Sequence, residues 1–351
     1  MSPVEHIPLN LRQTQKPGEK KRIPLSKIII YCFAVAIFSF CVKYLIFDFR
    51  WLQISKIFNN INTQLLLPAA LAPIGLWVIR SIRWRILLHN CGESLSFKDI
   101  YFCNAIAQAI SMITPANSGE LLKIEMLKRL GLRNSSSGYG TFVVERVMDL
   151  ATLVVLGIAS LVFLKSTIIP AQEFRIVIIV STMLLIITLI SITFLTKFNF
   201  LGIRQKMLLL RQSCGNLSTS LYIVMLSLVS WVIVSLGWYY SFLSIDIHIG
   251  FINTIGCMFI VSIVGIISFI PASLGIAEIS TVAILISMGQ SETHAQAGAL
   301  VLRLYGIIAL TIGLLHFLFL KETRKHNSYR KHCKISHSKN TVTDFQCRGK
   351  I

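Results

Sequence analysis

An all-α, polytopic transmembrane helical bundle is the fold class the sequence predicts, on three observations. Of the 351 residues, 54% are hydrophobic and 14% charged, against about 45–50% and about 25% in an ordinary soluble domain. Uncharged runs such as Ile176 to Leu195 and Leu221 to Ile245 reach the roughly 20 residues that cross about 30 Å of hydrocarbon at about 1.5 Å per residue. The formal charge of +19, from 34 Lys and Arg against 15 Asp and Glu, is gathered between those runs, as it is in the loops on the cytoplasmic side of a membrane protein. On a soluble chain this balance would point to nucleic acid. On an apolar background it points to a membrane, so no nucleic-acid partner is expected and a conventional soluble enzyme is excluded.

The elements follow in order. Residues 1–26 form a basic tail, and the run Ile28–Phe47 is longer than a signal-peptide core and lacks a small-x-small cleavage site, so it reads as a retained first span. Gln64–Leu88 is the second span. Ile100–Ile113 is short, in the length range of a re-entrant or buried segment. The stretch Leu121–Leu130 (LLKIEMLKRL) carries too much charge to cross, so the chain returns to the side it came from. Together these make a re-entrant hairpin, whose non-helical tip is tolerable only where protein or water satisfies its backbone. Such a tip implies a cavity. Phe142–Leu164 closes a first repeat over residues 27–165.

The second repeat, residues 166–321, holds the spans Ile176–Leu195 and Leu221–Ile245. Phe251–Ile270 follows, long enough to cross but ending at Pro271, then the short Ile276–Met288 and a last span at Ala299–Leu320. Residues 322–351 are a second basic tail. Lys and Arg before the first span, at Arg80, Arg83 and Arg85, from Lys123 to Arg133, from Lys197 to Arg211 and after Lys321 all fit on one side. The positive-inside rule makes that side cytoplasmic and places both termini there, in the plasma membrane of a bacterium. The loops Asp48–Thr63, Lys165–Arg175, Asp246–Gly250 and Gly289–Gly298 face outward.

The two halves share a motif. Thr114-Pro115-Ala116-Asn117-Ser118-Gly119-Glu120 is matched by Ile270-Pro271-Ala272-Ser273-Leu274-Gly275, with Glu278 following. Downstream, Gly119 to Arg146 is 27 residues and Gly275 to Arg303 is 28. The first half starts inside and the second outside, so the repeats are inverted. Inverted repeats with Gly/Pro-interrupted helices in corresponding positions are the pattern of secondary transporters, whose site lies near the midplane. The plainer reading is that Pro and Gly punctuate two helix ends.

Charges inside apolar helices sharpen this. Even on the mildest insertion scale an Asp or Arg at mid-helix costs about 2.5–3.5 kcal/mol, so such groups line a polar path or pair with one another. Glu120, Glu145, Arg146, Asp149, Glu278 and Arg303 qualify. Arg303 offers a planar fork suited to two phosphate oxygens, although nearby Gly298 and Gln296 leave room for an interfacial position. If Ser135–Gly140 is a flexible entry and the helix begins at Thr141, Glu145 and Asp149 would instead complement the helix dipole, and Arg146 and Asp149 would pair three residues apart. Arg80, Arg83 and Arg85 with Trp84 read as interface anchors, with the gathering of anionic lipid from the inner leaflet as the alternative, and Trp51, Trp77, Trp231 and Trp238 as a membrane belt. The eight cysteines include no CxxC pair, and the His and Cys of the tail fit no zinc spacing. No metal, cofactor or catalytic residue is expected.

Pro115-x-x-x-Gly119-Glu120 with Lys123, then Glu145-Arg146-x-x-Asp149, then Pro271-x-Ser273-Leu274-Gly275-x-x-Glu278 and a late Arg303, resemble the flippase-like integral membrane family. That family includes the transmembrane flippase region of lysylphosphatidylglycerol synthases and proteins of hopanoid and polyprenyl-glycan pathways. The resemblance runs from about Lys27 to Lys321. It implies a lipid-translocating fold and marks Pro115, Gly119, Glu120, Lys123, Glu145, Arg146, Asp149, Pro271, Ser273, Gly275, Glu278 and Arg303 as substrate-binding positions. Asn117 and Lys123 stand where arginines are common in the family, and the soluble aminoacyl-transferase domain is not expected in this chain.

The resulting expectation is a non-enzymatic lipid flippase whose partners are membrane lipids with anionic headgroups. Two other readings stay open. One is an embedded enzyme or an accessory of a lipid-modifying synthase or glycosyltransferase, for which Glu120 and Glu125 are the nearby carboxylates. The other is a small-solute secondary transporter on the same fold.

Overall fold

The computed structural model describes residues 39, 43, 49–164, 215–268 and 270–339. The predicted spans Ile28–Phe47, apart from residues 39 and 43, and Ile176–Leu195 lie outside the described residues, as does the tail of residues 1–26. The described chain is helical, with no strand: α1 (Trp51–Asn59), α2 (Thr63–Asn90), α3 (Phe97–Ser111), a 310 turn (Pro115–Leu121), α4 (Leu122–Lys128), α5 (Ser135–Leu164), α6 (Leu217–Leu243), α7 (Phe251–Ser268), a second 310 turn (Pro271–Ser273), α8 (Ile276–Ser287) and α9 (Glu292–Lys339).

Local sequence sets several starts. Asn62 accepts from the Gln64 amide at α2, Ser96 from Asp99 at α3, and Asn216 from Thr219 at α6, each satisfying an amide that the helix leaves unpaired. Among the described residues α2, α6 and the first 27 residues of α9 are long and apolar enough to cross a membrane, so the chain is a multi-pass membrane protein. Outward-facing Leu71, Val155, Met225 and Leu318 form an apolar surface that hydrocarbon would cover. With 12 residues, α8 is about 18 Å long and falls short of a crossing.

Three boundaries differ from the sequence reading. Residues 51–59, read as loop, form α1: Ile54 and Phe49 are buried against Phe242, Ile245, Ala295 and Ala299, while Trp51 and Leu52 point outward. Nine residues are too few for the apolar periodicity to register. Second, α5 begins at Ser135 rather than Thr141, because Ser137 and Thr141 are buried and the Thr141 hydroxyl donates to the Ser137 carbonyl one turn back. Third, α9 begins at Glu292 and continues to Lys339, well into the segment assigned to the tail.

Packing is close where residues are small, as membrane helix contacts require. The longest contact is α2 along α6; α9 packs on α3 and α8, and α7 on α5. A Cβ on Gly157 of α5 would lie 2.2 Å from the Phe259 ring of α7, a ring that is itself fully buried. Gly157→Ala is therefore expected to lower stability by about 1–3 kcal/mol, read as an earlier unfolding midpoint in detergent.

Candidate functional site: two helix hairpins and an ion-pair cluster

The shared Pro-Ala-x-x-Gly motifs form the 310 turns that join α3 to α4 and α7 to α8, and the two turns pack against each other. Each tip holds non-glycine residues in the left-handed region: Asn117 (φ 54°) in the first, Ala272 (φ 55°) and Ser273 (φ 48°) in the second. Such strain, of order 1–3 kcal/mol per residue, persists only where surrounding structure over-determines it. In the first tip the Thr114 hydroxyl oxygen accepts from the Gly119 amide at 2.8 Å. In the second, the Glu278 carboxylate reaches back to accept from the Gly275 amide at 2.8 Å.

A glutamate at each tip pairs with an arginine on a later helix. Arg146 donates from Nη1 to Glu120 Oε1 at 2.7 Å, and its Nη2 lies 2.7 Å from Oε2 as an ion pair. Arg303 donates through Nε to Glu278 Oε1 at 2.6 Å, also pairs with it through Nη2, and donates from Nη1 to the Ala272 carbonyl at 3.0 Å. It lies about three turns into α9, since that helix starts at Glu292, and is turned onto the second tip.

Around the first tip the charges form one connected cluster. Arg83 of α2, with a side chain 0% exposed, donates to Asp149 at 2.5 Å, to the Ser227 hydroxyl at 2.6 Å and to Glu145 at 2.8 Å. Lys123 of α4 pairs with the other Glu145 oxygen, and its ammonium sits 4.3 Å from the centre of the Trp84 ring. Arg80 donates to Gln108 Oε1 at 2.9 Å and lies 3.5 Å from Asp149 and 4.0 Å from Glu120. Arg146 bridges Glu120 and Asp149, the latter at 3.0 Å. In a medium without water, charges persist only when paired in this way.

Beside the tips lies a cavity of about 690 Å³ lined by Met112, Ile113, Thr114 and Asn117 of the first hairpin, by residues of α7 and the second tip including Ser273, by Trp231 and Trp238 of α6, and by Arg303. Its walls are largely apolar, with hydroxyl and amide groups at the tips. Arg303 is the charged residue on its lining.

The predicted residues thus fall into two groups. Pro115, Gly119, Glu120, Lys123, Glu145, Arg146 and Asp149 gather at the first tip, while Pro271, Ser273, Gly275, Glu278 and Arg303 gather at the second. Among them Ser273 and Arg303 line the cavity. Because α5 starts ten residues before Glu145, Glu145 and Asp149 lie beyond its first turn and are not dipole partners.

Arg80 and Arg83 require a larger correction. They are not interface anchors but buried members of the cluster, and of the three arginines Arg85 alone is exposed. The belt reading of Trp77 also fails, since it is 2% exposed and its ring meets His316 edge-on at 5.5 Å; Trp231 and Trp238 face the cavity, and Trp51 remains exposed. The available signal was spacing: Arg80 and Arg83, three apart, share a helix face, and Arg85 does not.

The family described as "Lysylphosphatidylglycerol synthase TM region" matches residues 31–313 of this chain. A "UPF0104 membrane protein" of Methanocaldococcus jannaschii is 32% identical over 112 residues, which is 30% of this chain and 33% of that protein. Another, from Pyrococcus horikoshii, is 24% identical over 258 residues, 62% of this chain and 75% of the relative. A "Phosphatidylglycerol lysyltransferase" of Staphylococcus epidermidis is 28% identical over 131 residues, 37% of this chain but 15% of the relative. The match therefore spans a third of the first relative and a small part of the lysyltransferase. Since the family match extends over most of the chain and includes both tips, their glutamates and both partner arginines, the protein belongs to the lysylphosphatidylglycerol synthase TM-region family.

Proposed function

We propose that the protein is a flippase-like translocator that moves an anionic phospholipid or a polyprenyl-type lipid between leaflets. The observation that carries this is the cavity where the hairpin tips meet: apolar walls, hydroxyl and amide groups at the tips, and one arginine fork. An amphiphile with a single negative headgroup satisfies all three features, whereas a small polar solute leaves the walls unused. Phosphate oxygens compete with Glu278 for Arg303 by bidentate geometry, and the chains of the lipid stay in the bilayer.

The hairpins are read as re-entrant and as halves of an inverted repeat in a bacterial plasma membrane, with both termini cytoplasmic. The recurring glutamate–arginine pair, separated by 26 residues in the first half and 25 in the second, supports the repeat. The membrane partners are anionic lipids. The likeness to a protein named a phosphatidylglycerol lysyltransferase also supports a second reading, in which the chain serves a lipid-modifying synthase or glycosyltransferase as an accessory.

In proteoliposomes, inner-leaflet protection of a headgroup-labelled anionic phospholipid is expected to be lost faster than in empty vesicles. Arg303→Ala is expected to slow the loss about tenfold to a hundredfold, matching the about 1.5–3 kcal/mol of a hydrogen bond to a charged group. Equal rates with and without protein, for phospholipid and polyprenyl phosphate alike, would overturn translocation and favour the accessory reading.

A further inference from the structure

The cluster at the first tip does not balance. Its cations are Arg80, Arg83, Lys123 and Arg146, and its anions are Glu120, Glu145 and Asp149. Among the described residues no further carboxylate pairs with it, and within them one positive charge is left over. Lys123 belongs in the count as an ammonium, because it pairs with Glu145 and lies over the face of Trp84, as a cation does. Five donor atoms in or against the cluster also lack a hydrogen bond, Arg80 Nε, Arg83 Nε, Arg146 Nε, Arg146 Nη2 and Gln108 Nε2, against two carboxylate oxygens, Glu120 Oε2 and Asp149 Oδ2. Arg80 is 6% and Gln108 8% exposed, so water does not readily satisfy them.

We propose that this cluster binds one monovalent anion, coordinated at the Arg80–Gln108 edge with Arg146 beside it. An unbalanced charge in a water-poor interior is expensive and recruits a counter-ion. Arg146, with a side chain 31% exposed, is the least enclosed member of the cluster. The arginine forks and a neutral amide donor suit a singly charged oxyanion, either an inorganic one or the phosphodiester of a lipid headgroup. The Arg80 guanidinium lies 5.9 Å from the Trp231 ring, which also lines the cavity. Trp231 thus joins the site to the cavity that Arg303 also lines. The charge count does not depend on lipid translocation, although a headgroup as ligand would make this a second station on that path.

The test uses Gln108→Glu, which keeps the acceptor for Arg80 and supplies the missing negative charge from within. Unfolding of the purified full-length protein is followed in neutral detergent at constant ionic strength, with bulky gluconate replaced stepwise by dihydrogen phosphate or chloride, or with phosphatidylglycerol added against phosphatidylcholine. For the unaltered protein, the midpoint is expected to rise with the logarithm of anion concentration. Gln108→Glu is expected to unfold at a higher temperature than the unaltered protein in gluconate and to lose the anion response. Arg80→Gln loses the response as well, while Arg303→Ala keeps it, which separates this site from the translocation reading.

A response to phosphatidylglycerol alone identifies the headgroup as ligand, and a response to inorganic anions identifies a free ion. No response to any of them, with Gln108→Glu less stable than the unaltered protein, would overturn the proposal and mean that Lys123 is held neutral. An anion response that persists unchanged in Gln108→Glu overturns it too, by placing the ligand elsewhere.

Discussion

Arg83→Ala is expected to cost about 3–5 kcal/mol of stability, the penalty for removing one partner of a buried ion pair and leaving the other charges uncompensated. Arg83 is fully enclosed and donates to Asp149, Glu145 and Ser227 at once; without it, Asp149 loses its shortest contact and Glu145 is left to Lys123 and a distant Arg146. Arg83→Lys is expected to recover only part of the loss, because a single ammonium cannot replace a fork spread over three acceptors. The comparison pair is Lys128 with Glu125, at 3.0 Å but with side chains 31% and 51% exposed; such a surface pair contributes about 0–1 kcal/mol. Denaturant midpoints in detergent should therefore fall steeply for Arg83→Ala and hardly move for Lys128→Ala. If the two fall equally, the cluster does not hold the bundle together.

Gly119→Ala is the second large effect, and it is local. A Cβ at this position would meet the Ser111 nitrogen at 2.8 Å, the Ile110 carbonyl carbon at 2.9 Å and the Thr114 hydroxyl at 2.9 Å. Two of these are backbone atoms at the end of α3 and cannot rotate away, so the turn has to open. Opening breaks the bond from the Gly119 amide to Thr114 and moves Glu120, the next residue, off the Arg146 fork. The expected cost is about 1–3 kcal/mol in stability, with loss of lipid translocation exceeding what that destabilisation explains. Gly306 is the control, since an added Cβ there meets nothing within 4 Å. Gly306→Ala should leave stability near that of the unaltered protein, and similar values for the two variants would show that the first tip is not tightly built.

Much of this was legible in the residues. Charge poverty and long apolar runs marked the membrane. The repeated Pro-Ala-x-x-Gly marked the two tips, and the matched distances to Arg146 and Arg303 marked those arginines as corresponding positions, without naming the glutamates that the structure pairs with them. Arg80 and Arg83 were misread for an equally physical reason. Near the end of an apolar helix an arginine reads the same whether it snorkels to an interface or turns inward, and the choice depends on what faces it from α5.

By itself, the sequence determined an apolar, helical, multi-pass protein with two Pro-Ala-x-x-Gly turns and charges that had to be paired somewhere, since these follow from composition, spacing and the cost of burying charge. Only the tertiary structure decided how they are paired. It brings α2, the first hairpin, α5 and α6 together so that two carboxylates close on Arg83, and it places Arg303 on a cavity while Arg83 is sealed. Those outcomes depend on which helix faces meet, and contacts between residues 60 or more positions apart leave no periodic signature in a single chain.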